Sequence, residues 1–115
     1  MNLSNHENRL NRFEDFWPYY VREHSHPANR GLHFIGSTLG VICLALTFVT
    51  GNVWLVPAGL VLGYGFAWFG HFFIQRNKPA TFKYPFWSLC GDWKMWFLML
   101  IGRMGSQVRR AQEHH

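Results

Sequence analysis

The chain has 115 residues, enough for one domain, with two cysteines, seven histidines and a formal net charge of +5. Its mean hydropathy is near neutral, yet all eleven Lys and Arg and all six Asp and Glu lie outside positions 31–75. Such a long stretch without formal charge excludes an ordinary soluble core and points to a membrane-embedded chain. Nucleic acid is not expected as a partner, because the basic residues flank apolar segments and no nucleic-acid module is visible.

In chain order, Leu10, Phe13, Phe16, Trp17, Tyr20 and Val21 recur at helical spacing, with Arg9, Arg12, Glu14 and Asp15 between them. This pattern predicts an amphipathic helix, interrupted near Pro18. Ser25 or His26 then caps a helix whose first residue is Pro27 and which runs through Asn29, Arg30 and His33 into an apolar segment. Leu32–Thr50 and Val53–Ile74 are each long enough to span a bilayer, at ~20 residues per span. Gly51 and Asn52 form an uncharged turn between them. Gly36-x3-Gly40 and Gly59-x3-Gly63 are small-residue pairs that let helices approach closely.

After the second span, RNKPATFKYP reads as a loop. Apolar residues from Phe86 to Met104 follow the helical period, interrupted by Asp92, Lys94 and Arg103 and enriched in Trp87, Trp93 and Trp96. This predicts an interfacial helix, with a third full span as the alternative. The expected fold is all-α: a membrane helical hairpin of two antiparallel spans, 32–50 and 53–74, flanked by amphipathic or interfacial helices in one domain over 1–115. Polar and acidic sequence before the first apolar run argues against a secretory signal peptide. Basic residues flank the hairpin while its turn has none, which places both termini in the cytoplasm. A homo-oligomer stays open. Cys43 and Cys90 lack CxxC spacing and suggest neither a disulfide framework nor a thiolate site. His114 and His115 are set aside as a terminal pair of the kind a purification tag leaves.

The remaining histidines carry the functional question. His33 lies 18 residues before Gly51 and His71 lies 20 residues after it. In an antiparallel hairpin these offsets correspond to ~27 and ~30 Å of helical rise. Both imidazoles thus reach nearly one depth, where His24 and His26 also enter. Imidazole suits iron, copper, zinc and nickel, while the plain alternative is a hydrogen bond from each ring to a neighbouring helix or headgroup. Asn29-Arg30 and Asn77-Lys78 sit symmetrically at the entry to the first span and the exit from the second. Arg30 or Lys78 can hold a carboxylate or extend to lipid phosphates. Asp92 can act as a ligand, as a partner for the second nitrogen of a histidine, or as a helix-surface charge.

The segments YYVREHSHPANRGLHFIG and GYGFAWFGHFFIQRNKPATFKYPFWSLCGDWKMW, joined by the apolar hairpin, carry the paired motifs EHxxPxNRxLHxxG and GHxxxxxNxPAxxxxP. Over roughly residues 16–100 the chain resembles the Mpo-like family of small membrane proteins, whose eukaryotic members are 2-hydroxy fatty acid dioxygenases of α-oxidation. The resemblance implies an Fe(II) enzyme that uses O2 to shorten a 2-hydroxy fatty acid by one carbon, with membrane lipid as its surroundings. It maps the family's histidines onto His24, His33 and His71, as metal ligands and catalytic residues, with His26 a further ligand position ranked below them. Asn29, Arg30, Asn77 and Lys78 become candidate substrate-binding residues, and Glu23 and Asp92 candidate supports of the ligands. Members often have Glu where this chain has Gln75, which raises the question of what that position does. A 2-hydroxy carboxylate can chelate iron through its hydroxyl and one carboxylate oxygen, leaving a position for oxygen beside three imidazoles. The competing readings are a non-catalytic membrane scaffold with structural histidines and a haem protein using His33 and His71.

Overall fold

In the computed structural model, which describes residues 10–113, the chain is all-helical. The helices are α1 (Phe13–Arg22), α2 (Pro27–Thr50), α3 (Leu55–Phe69), α4 (Pro85–Leu100) and α5 (Met104–Glu113). A π-helical turn, Gly70–Gln75, prolongs α3, and a 3-10 turn spans Ala80–Phe82. Arg9, His114 and His115 lie outside the described residues.

The long apolar segments form the expected hairpin. His26 caps α2 by accepting the Ala28 N–H at 3.0 Å, and Pro27 takes the first helical position, where its missing N–H costs nothing. At the other end Gly51 adopts the left-handed conformation, φ 75°, and returns its N–H to the Thr47 carbonyl. The Asn52 side chain accepts the Trp54 N–H, and α3 begins at Leu55, two residues after the expected start. Gly36 meets Gly63, Gly40 meets Gly59 and Asn29 meets Gly70, a register that runs antiparallel. The approach is close because side chains are missing: a Cβ at Gly36 would lie 2.9 Å from the Gly63 carbonyl oxygen.

Two helical segments, Pro27–Thr50 and Leu55–Gln75, are long and apolar enough to cross a membrane among the described residues. Only 11% and 22% of their apolar windows is buried within the molecule. Phe48, Val49 and Val61 are 81%, 80% and 71% exposed, so the apolar surface faces outward. Burying such a surface requires an apolar surrounding.

The remaining helices form a cap at the end of the hairpin away from its turn. Phe16, Trp17, Tyr20 and Val21 of α1 pack with Met95 of α4 and with Met104 and Ala111 of α5. Trp17 Nε1–H donates to Gln107 at 2.9 Å, joining α1 to α5 across the sequence. Pro18 does not interrupt α1. The bond it cannot donate would end on the carbonyl of Glu14, an exposed residue in the first turn that water can satisfy. The helix expected over 86–104 instead stops at Leu100. Gly102 has φ 73° and donates to Met99, while Arg103 donates to Leu98, so two terminal carbonyls are satisfied and the chain reverses. The α5 helix was not foreseen, since its apolar face is only Met104, Val108 and Ala111. Trp96 donates to Thr38 at 3.0 Å and stacks on Phe34, which holds α4 against the upper part of α2.

Candidate metal centre

Three elements each deliver one imidazole to the junction of cap and hairpin. His24 follows α1, His33 lies two turns into α2, and His71 lies in the π-helical turn. All three are at most 5% exposed. His24 Nε2 is 3.1 Å from His33 Nε2 and 3.0 Å from His71 Nε2. The ring centroids are 4.4 to 4.9 Å apart, with planes close to perpendicular.

The second nitrogen of each ring fixes its protonation. His24 Nδ1 lies 2.7 Å from the Tyr20 carbonyl, one of the carbonyls α1 leaves without a helical partner. His33 Nδ1 lies 2.9 Å from the Asn29 carbonyl, four residues earlier in α2. His71 Nδ1 lies 2.8 Å from Asn77 Oδ1. The Asn77 amide is oriented by its other end, because its Nδ2 donates to the Glu23 carbonyl at 3.1 Å. Every Nδ1 therefore faces an acceptor and carries the proton, so every neutral ring presents an unprotonated Nε2 inward. Burial, followed by its two histidine neighbours, pushes His24 well below the ordinary imidazole range. The Tyr20 ring stacks on His24 at 4.0 Å and closes that side.

Three nitrogen lone pairs thus converge in a buried space without a proton to share, an arrangement that a cation stabilises. The spacing fits one: two nitrogens at ~2.1 Å from an ion and at right angles to each other are ~3.0 Å apart. His24, His33 and His71 can together hold a metal ion. The same closeness excludes the bis-His haem arrangement. His33 and His71 rings 4.9 Å apart, each also in contact with His24, leave no slot for a porphyrin between them.

The structure does not bring His26 to this cluster. It is exposed, and its Nδ1 is occupied by the Ala28 N–H as the cap of α2. Arg30 donates to the carbonyls of His24 and Ser25 at 2.7 and 2.8 Å, holding the loop that carries His24. Asn29 is fully buried; its Nδ2 donates to Gln75, and its Oδ1 has no partner. A Cβ at Gly70 would fall 1.9 Å from that oxygen, so only glycine admits the Asn29 side chain here. Lys78 is exposed. The Glu23 carbonyl is held by both Asn77 and Gln75, and burial raises the half-buried carboxyl above its usual range. Asp92 is not the partner of a histidine second nitrogen, since all three Nδ1 atoms are bonded elsewhere. It accepts instead from the Tyr20 hydroxyl, and burial raises its carboxyl to about 7.

Sequence reasoning missed the work of Gln75 and Tyr20. Gln75 Oε1 accepts from the His26 N–H and from Asn29 at 2.9 Å each, and its Nε2 donates to the Glu23 carbonyl at 2.9 Å. It uses donor and acceptor at once, which a carboxylate cannot, and so ties the 23–26 loop to the π-helical turn. For Tyr20 the available signal was its position one helical turn before His24.

A family model described as 2-hydroxy-palmitic acid dioxygenase Mpo1-like matches residues 10–104. The chain belongs to this Mpo1-like family. The match spans all three histidines, the loop that carries His24 and the cap helices through Met104, so the assignment covers the whole centre. Neither a curated protein nor a solved structure gives a significant match to the chain.

Proposed function

We propose that this Mpo1-like protein is an integral membrane Fe(II)-dependent dioxygenase. It shortens a 2-hydroxy fatty acid by one carbon at the cytoplasmic boundary of the bilayer. The observation that carries the reading is the convergence of three unprotonated Nε2 atoms in a buried layer where an apolar hairpin meets a polar cap. The atoms balance: a 2-hydroxy acid and O2 give the acid one carbon shorter, carbon dioxide and water. Bound iron would supply the redox chemistry that couples O2 to cleavage of the bond between the first two carbons.

The chain's own residues perform the rest. His24, His33 and His71 hold the ion, and the carbonyls of Tyr20 and Asn29 with Asn77 Oδ1 hold the rings in the tautomer a ligand requires. Tyr20, stacked on His24, keeps water from that side. A cavity of about 20 Å³ beside the rings, lined also by Tyr64, Ser88 and Asp92, gives small reactants a place next to the nitrogens. Ser88 Oγ is buried there without a partner, so it is available to the hydroxyl or carboxylate of a bound acid. We assign Asn29, Asn77, Arg30 and Glu23 to positioning the ligands, and Lys78 to lipid phosphate or to guiding the anionic acid. We assign the side of the basic cap, where the described chain begins at Leu10 and ends at Glu113, to the cytoplasm.

The test incubates purified protein with Fe(II) and 2-hydroxypalmitate in air and looks for the acid one carbon shorter. Product from the parent and none from His33→Ala or His71→Ala is expected. Iron-loaded protein that yields no product refutes the assignment for this substrate and leaves the scaffold reading.

A further inference from the structure

A groove of about 190 Å³ runs between α2, α3 and α4. One end is lined by His33 and Asp92, the other by Leu44, Leu55 and Val56 near the hairpin turn. Its floor exists because Gly36, Gly40, Gly59 and Gly63 contribute no side chains. Polar groups are confined to the upper part, at His33, Ser37, Tyr64 and Asp92. His33, Tyr64, Ala67 and Asp92 line both this groove and the small cavity beside the histidine rings, so the two spaces adjoin.

We propose that this groove holds the acyl tail of the acid, head at the histidine cluster and methyl end toward the hairpin turn. The identity of the head group rests on the dioxygenase reading; the apolar occupant of the groove does not. A polar end next to ligand nitrogens and an apolar remainder match an amphipathic chain in one direction only. From His33 to Leu44 the helical rise amounts to ~16 Å. Carbon–carbon bonds of ~1.5 Å at ~111° advance ~1.25 Å each, so the groove accommodates about 13 extended carbons beyond the head. An acid of about 16 carbons therefore fills it, and a longer one passes Leu44 and Leu55 into lipid. Since bilayer hydrocarbon is as apolar as the groove, burial of the tail gives little net gain. The groove acts by shape: it sets where the tail lies once the head is held.

The experiment uses full-length protein in lipid nanodiscs and 2-hydroxy acids with a photoreactive diazirine at the terminal carbon, mapped by peptide mass spectrometry. An analogue of about 16 carbons is expected to label Leu44, Leu55 and Val56, and one of about 10 carbons, reaching ~9 Å from His33, to label near Gly40, Gly59 and Leu60. Ser37→Phe, which fills the groove, is expected to reduce this labelling about tenfold, the effect of a ~1.4 kcal/mol clash. Val61→Trp, which adds bulk on the outer face of α3, is expected to leave it intact. Labels that scatter over Ile42, Val49 and Val61 whatever the chain length would identify ordinary lipid contact and overturn the proposal. If Ser37→Phe does not fold, the dependence of label position on chain length in the parent protein decides alone. Turnover measured on the same samples separates the two ideas. Product without groove labelling overturns the groove alone, and groove labelling without product overturns the dioxygenase alone.

Discussion

Asn77 offers the sharpest test of how the centre is held, because it touches no ion and its two ends do different things. Its Oδ1 accepts from His71 at 2.8 Å, and its Nδ2 donates to the Glu23 carbonyl at 3.1 Å. Asn77→Ala removes both bonds, leaving the His71 Nδ1–H without its acceptor and the ring free to turn. Loss of such an outer partner costs ~10–100-fold in metal affinity, or ~1.4–2.7 kcal/mol. Loss of the Glu23 bond costs a further ~0.5–1.5 kcal/mol, in stability and not in affinity. Asn77→Asp separates the two, since a carboxylate accepts from Nδ1–H but cannot donate to a carbonyl. Asn77→Asp is expected to keep or raise the metal affinity while melting at a lower temperature, as Asn77→Ala does. Competition against a chromophoric chelator with Co(II) or Zn(II), in detergent without oxygen, reads the affinity; thermal unfolding reads the stability. A well-folded Asn77→Ala variant with unchanged affinity refutes the argument, and so does equal loss of affinity in both variants.

Three further outcomes follow from the same geometry. Gly36→Ala places a Cβ 2.9 Å from the Gly63 carbonyl and should cost ~1–3 kcal/mol by forcing the helices apart, whereas Gly63→Ala, with 3.7 Å to the Gly36 carbonyl, should be nearly neutral; melting in detergent compares them. His26→Ala removes the cap of α2 and should lower stability by ~0.5–2 kcal/mol while leaving the metal stoichiometry of the purified protein unchanged. The third outcome concerns pH. Burial raises Asp92 from 3.8 to about 7, so its contribution to stability is fully present below about 3.8 and lost as pH rises through about 7. His24 is lowered from 6.5, chiefly by burial, so its contribution is present above 6.5 and lost as pH falls toward its folded value. The two oppose each other between about 4 and 6.5, and removing Asp92 unmasks the histidine. Metal-free Asp92→Asn should therefore lose more melting temperature than the parent between pH 7 and 5; parallel curves would refute this.

The hairpin was legible in the sequence because charge segregation and helix length are one-dimensional properties. The shared depth of His33 and His71 was legible for the same reason, since helical rise turns residue count into height. What residue count cannot give is rotation about the helix axis. His26 stands two residues from His24 at a similar height, yet it caps α2 while His24 turns inward against Tyr20. The π-helical turn at Gly70–Gln75 was equally hidden, because its packing depends on the Asn29 side chain filling the space a Cβ at Gly70 would occupy. The α5 helix was missed because three apolar residues are a weak pattern without the α1 face that buries two of them.

The centre joins a part held by helix packing to a part that is not. His33 is fixed by α2, whose pairing with α3 is set by the glycine contacts along the hairpin. His24 has no such support, since it sits on a short connection between α1 and α2. Arg30, Asn77 and Gln75 all bond to carbonyls of residues 23–25, and thereby tie that connection to the hairpin. Gln75 also accepts from Asn29, whose carbonyl accepts from His33, so one side chain links the supports of two of the three imidazoles. A Glu at this position would accept from His26 and Asn29 as Gln75 does, but it would set a second acceptor against the Glu23 carbonyl. The glutamine is thus what this particular loop requires, because its donor and its acceptor together fasten the His24 connection to the π-helical turn.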